Sequence, residues 1–132
     1  MVYSHRASDF PGGQEGTGLD SLATARCAVD VAVDKRASDI LVLDVRRVAN
    51  LADYFVICTA ETERQIRAVV EGIEEALLEA GIGRRQREGE PNSGWVLLDY
   101  GDVIIHVFAP AEREYYRLER LWRDAPAVVQ IQ

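Results

Sequence analysis

Two β-rich runs, Trp95 to Tyr100 and Val103 to Phe108, are separated only by Gly101 and Asp102. A two-residue connector of that composition reads as a tight antiparallel hairpin, and no other segment constrains the fold as much. Side chains alternate across a strand, so Trp95, Leu97 and Asp99 share one face while Val96, Leu98 and Tyr100 share the other. The chain must therefore build a sheet with two unlike faces.

The remaining segments supply that sheet and its cover. Ile40 to Val45, interrupted only by Asp44, is an apolar run bounded by polar residues, as in a strand buried on both faces, and Tyr54 to Cys58 is a second. Ser21 can cap a helix whose apolar positions Leu22, Ala25, Val29 and Val33 recur at helical spacing, with an end near Arg36. Thr62 can cap a longer one with Ile66, Val69, Val70, Ile73, Leu77 and Leu78 on one side and glutamates on the other, stopped by Gly81. Arg84 to Glu88 suits an edge strand, because Arg84, Arg85 and Arg87 cannot all be buried, and Pro91 to Gly94 suits a turn. Pro110 fits a first helical position, with Tyr115, Leu118, Leu121 and Trp122 recurring behind it and Pro126 closing the element. This order predicts an α/β (α+β) fold, a mixed β-sheet flanked by helices.

At 132 residues and 48% hydrophobic content the chain suits one domain with one core. The glycine-rich stretch from Pro11 to Gly18 is too poor in apolar groups to pack, so residues 1–20 are expected as a disordered arm, 21–125 as the domain and 126–132 as a tail. A net charge of -7 disfavours a phosphate-rich partner and favours a basic protein. Cys27 and Cys58 lie far apart with no metal-site spacing and read as buried thiols in a reducing compartment. No stretch reaches the ~18 apolar residues of a membrane span. Residues 1–20 have no secretory apolar run, so a cytoplasmic protein is expected.

Motifs for catalysis are missing. The glycine-rich arm lacks Gly-Lys-Ser/Thr, no Gly-x-Ser-x-Gly elbow occurs, and His106 is the one histidine of the expected domain. The pairs Glu61/Glu63, Glu88/Glu90 and Glu112/Glu114 fall in loops or helix starts, where carboxylates are ordinarily solvated. The hairpin remains: Trp95 either anchors a partner or joins the core with Asp99 capping the turn. His106 reads as a half-buried histidine, and the stripe Tyr115, Leu118, Leu121, Trp122 as core or as a dimer surface.

Together, Ala52 to Ile57, Arg64-Gln65, Glu88-Gly89, Trp95-Val-Leu-Leu-Asp-Tyr-Gly-Asp102, His106 and Arg113-Glu-Tyr-Tyr-Arg-Leu-Glu-Arg-Leu-Trp122 resemble the ribosome silencing factor (Iojap) family over residues 21–125. The resemblance implies a translational repressor without an active site or cofactor. Such a factor binds the large ribosomal subunit through its fourteenth protein and sterically blocks joining of the small subunit. It further implies a nucleotidyltransferase-like fold and homodimers off the ribosome, while the net charge of -7 and the lack of a long apolar stretch lead to the expectation of no direct DNA binding and no membrane as partner. The family's partner-binding positions map onto Trp95, Leu97, Asp99, Tyr100 and Asp102, with His106 beside them. Tyr115, Tyr116, Leu118 and Trp122 fall in a helix serving the core or a dimer. Ala60 and Thr62 stand where the family often has glycine and serine, which weakens any phosphate contact at that turn. Two alternatives stay open: a metal-dependent nucleotidyltransferase-like enzyme using Asp44, Asp99 and Asp102, and a dimeric adaptor using the aromatic helix.

Overall fold

A computed structural model describes residues 17–132. Six strands, β1 (Ser38–Asp44), β2 (Tyr54–Thr59), β3 (Gln86–Glu88), β4 (Trp95–Asp99), β5 (Val103–Phe108) and β6 (Ala127–Ile131), form one sheet in the order β3-β4-β5-β2-β1-β6. Only β2 and β5 are parallel; every other neighbouring pair is antiparallel. Parallel neighbours cannot be joined by a tight turn. The chain leaves β2 through helix α2 (Glu63–Glu79), crosses to the β3 edge and returns through β4 to β5.

Helix α1 (Thr17–Asp34) and α2 cover one face. Val42, Val56, Leu98 and Ile105 of the sheet meet Ala25 and Ala28 of α1 and Ile66, Val69 and Ile73 of α2 there, all essentially sealed from solvent. Burial of each large aliphatic side chain contributes about 2 kcal/mol. On the other face Leu41, Leu43, Phe55, Ile57 and Phe108 form a smaller cluster, covered in part by Leu118, Trp122 and Ala125. Strand β2 lies mid-sheet with packing on both sides, so all six of its residues are buried.

Local chemistry sets the ends of α2. The Thr62 hydroxyl oxygen accepts the Gln65 N–H at 3.0 Å. Gln65 then ties the helix start to the end of α1, its amide donating to the Lys35 and Arg36 carbonyls at 3.0 and 2.9 Å. At the far end Gly81 takes φ 85°, and the N–H groups of Gly81 and Ile82 donate to the Leu78 and Leu77 carbonyls. That is the paired closure left-handed glycines permit.

Four expectations are corrected. The arm expected over 1–20 lies outside the described residues as far as residue 16, and from Thr17 the chain is helical. Ser21 is therefore one turn inside α1, where its hydroxyl donates to Asp53 Oδ2 at 2.9 Å instead of capping. The aromatic helix is broken into α3 (Pro110–Tyr116) and α4 (Leu118–Leu121) by Arg117, whose φ of 46° is left-handed. Residues expected as a tail form β6, because β1 has an open edge that pairs from Ile40 to Leu43 with Ile131 back to Ala127.

Candidate partner-binding face

Register fixes which side chains of the hairpin meet. Trp95 lies opposite Phe108, Leu97 opposite His106 and Asp99 opposite Ile104. Val96 and Leu98 point to the helix-covered face and are fully buried, whereas Trp95, Leu97 and Asp99 point to the sparsely covered one and stay partly exposed. The Trp95 ring stacks on Phe108 at 5.0 Å and meets Tyr116 at 4.5 Å. Behind it Phe55 packs edge-on against both His106 and Trp122.

The Trp95 indole N–H donates to His106 Nδ1 at 3.2 Å. An acceptor Nδ1 means a neutral imidazole with its proton on Nε2. Burial agrees, pushing the imidazole down to about 4. His106 is 5% exposed, so it reaches the surface only through Trp95.

A cleft of 270 Å³ opens beside Trp95, lined by Glu88, Gly89, Ser93, Trp95, Leu97 and Tyr116. Gly89 has φ 87°, and a Cβ there would stand 2.2 Å from the Trp95 carbonyl oxygen. The cleft wall is therefore open to glycine alone. Ser93 Oγ donates to the Glu90 carbonyl at 2.7 Å, closing the turn that leads into β4.

The other named residues separate. Asp99 Oδ1 accepts the Gly101 N–H at 2.8 Å, so it caps the hairpin turn from the Trp95 face. Asp102 sits at the hairpin tip, where its carbonyl accepts the Asp53 and Tyr54 N–H groups, and burial and then Asp53 push its carboxyl up. Tyr100 lies on the opposite face against the α1/α2 core, its phenol pushed up to about 12 by burial first and Glu74 second. It is not part of the Trp95 surface. Tyr115 projects into solvent at 79% exposure, while Leu118 and Trp122 pack on the sheet.

Asp44 is bound to Arg46 at 2.7 Å, which holds its carboxyl below the usual range. Among the described residues no three His, Cys, Asp or Glu side chains gather as metal ligands, so Asp44, Asp99 and Asp102 do not converge. Cys27 and Cys58 are both buried thiols. No helix of the described residues is long and apolar enough to cross a membrane.

Sequence reasoning did not assign Tyr116 or the Glu88–Gly89 corner to the face.

Fold and face together define a small α/β protein whose distinguishing surface is aromatic and apolar at its centre, with carboxylates at its rim, the composition of a protein interface. The family model described as "Ribosomal silencing factor during starvation" matches residues 19–132. The ribosomal silencing factor RsfS of Bacillus subtilis is 47% identical over 93 residues, covering 70% of this chain and 79% of that protein. The chloroplastic protein Iojap of Zea mays is 32% identical over 134 residues, covering 97% and 56% respectively. A crystal structure of a Chromobacterium violaceum protein superposes with a TM-score of 0.75 at 33% identity, over 77% of this chain and 85% of that one. The chain belongs to the ribosomal silencing factor family.

Proposed function

We propose that this protein is a cytoplasmic translational repressor that binds the large ribosomal subunit through its fourteenth protein and blocks joining of the small subunit by occupying its docking face. The observation that carries the reading is the partly exposed aromatic centre, Trp95 with Leu97 and Tyr116 beside an open cleft. Family membership supports the ribosome as target. The net charge of -7 suits a basic ribosomal protein. Occlusion needs no reaction, so the face requires shape and apolar area, not an acid, base or nucleophile. Within it, Trp95 and Leu97 make contact, Asp99 and Asp102 border the contact, and His106 acts from behind Trp95.

The test is co-sedimentation with isolated large and small subunits on sucrose gradients. Wild-type protein should migrate with the large subunit alone and reduce joined ribosomes. Trp95→Ala should weaken binding by about 30-fold, the size of an interface hot spot, while the far-UV spectrum stays near wild type. Association with neither subunit overturns the proposal.

Tyr115 and Leu121 are exposed on the broken helix, which favours a second use, a homodimer through α3 and α4. If that dimer hides the Trp95 face, apparent affinity for the large subunit should fall as protein concentration rises. A constant affinity across the dimerisation range would separate the two surfaces.

A further inference from the structure

Helices α3 and α4 are seven and four residues long, and neither contains a buried residue. Segments that short do not hold their shape by themselves. Yet they carry Tyr116 onto Trp95 and lead into Trp122 on Phe55.

One side chain spans the whole arrangement. Arg113 is 13% exposed. Its Nη1 donates to Thr59 Oγ1 at 2.8 Å and to the Asp39 carbonyl at 2.9 Å, and its Nε donates to the Glu119 carboxylate at 3.1 and 3.3 Å. The guanidinium fork thus joins α3 to the start of β1, the end of β2 and α4. Thr59 lies opposite Phe108 in the sheet, and Phe108 lies opposite Trp95, so the anchor stands on the row that carries the aromatic centre. Asp39 and Arg117 both hold left-handed φ of 46°. One presents the carbonyl that Arg113 binds, and the other is the break that the Arg113–Glu119 pair bridges. Such conformations persist in L-residues where the surroundings over-determine them.

We propose that Arg113 is the positioning residue of the partner-binding face. Its guanidinium, held together by Thr59, Asp39 and Glu119, fixes the broken helix so that the Tyr116 ring stays on Trp95. This rests on the repressor reading for its functional consequence, but the geometry has its own readout. A lysine cannot replace it, because a single ammonium lacks the planar fork that reaches three partners.

The experiment uses the full chain carrying Trp122→Phe, in which Trp95 is the sole tryptophan. Acrylamide quenching of Trp95, thermal unfolding and affinity for isolated large subunits are measured for Arg113→Lys, Tyr116→Ala and the double variant. Arg113→Lys should stay folded, raise the quenching constant about twofold and weaken binding about tenfold, the size of one lost charge-assisted hydrogen bond. Tyr116→Ala should do the same, and the double variant should be no worse than Tyr116→Ala, since Arg113 acts through that ring. Unchanged Trp95 quenching, or additive losses of affinity, would overturn the proposal. Should Arg113→Lys unfold, Glu119→Gln removes a single leg of the clamp and decides in the same way. If the parent chain binds no subunit, the repressor reading fails, while the quenching of the two single variants and their combination still decides the role of Arg113.

Discussion

His106 presents almost none of its surface to solvent, so its contribution runs through the indole that rests on it. Burial holds the folded imidazole down to about 4, against an ordinary value of 6.5. The unfolded chain therefore takes up the proton first, and the stability that His106 contributes is fully present above about pH 6.5 and is lost as pH falls towards 4. Between about pH 7 and pH 5 the loss should be about 2 kcal/mol, and His106→Gln, which still offers an acceptor to Trp95, should flatten that part of the profile in urea titrations. A wild-type slope retained in His106→Gln would assign the effect elsewhere. Strand alternation foretold which face Trp95, Leu97 and Asp99 share, and that reading holds. The tautomer and the Trp95–His106 bond could not be read ahead, because they depend on Leu97 and His106 being opposed across two strands.

Elements set by neighbours in sequence were legible. Thr62 starts α2 and Gly81 ends it, because caps and left-handed closures are settled within a few residues. Glycines make that locality testable. Gly81 and Gly89 have nearly the same φ, 85° and 87°, but a Cβ at Gly81 meets nothing within 4 Å while one at Gly89 meets the Trp95 carbonyl at 2.2 Å. Gly81→Ala should cost about 1 kcal/mol, the backbone penalty alone, and Gly89→Ala more than about twice that, with altered Trp95 fluorescence, in denaturant unfolding. Equal costs would show that the β3–β4 corner yields. The break at Arg117 was not legible, since the apolar period runs on through it. The tie from Arg113 to Thr59 and Asp39, 54 and 74 residues away, gives the break its place.

For the whole molecule, the edges of the sheet matter most. The β3 edge carries Arg85, Arg87 and Glu88, the charges that discourage edge pairing. At the other end β6 covers β1, whose Ile40, Val42 and Leu43 are buried. Ending the chain at Pro126 strips that cover and should cost more than about 3 kcal/mol in urea unfolding, through several lost ladder hydrogen bonds and newly wetted apolar area. A truncated chain as stable as the full one would make β6 an appendage. By itself the sequence determined the hairpin, the capped helix, the mixed α/β class and the family, because each is written in residues close along the chain or in a recurrent motif. Only the tertiary structure decided that Tyr116 covers Trp95 and that the last residues close the sheet. Those outcomes depend on which distant surfaces remain open once the strands have found their order, and local periodicity does not encode that competition.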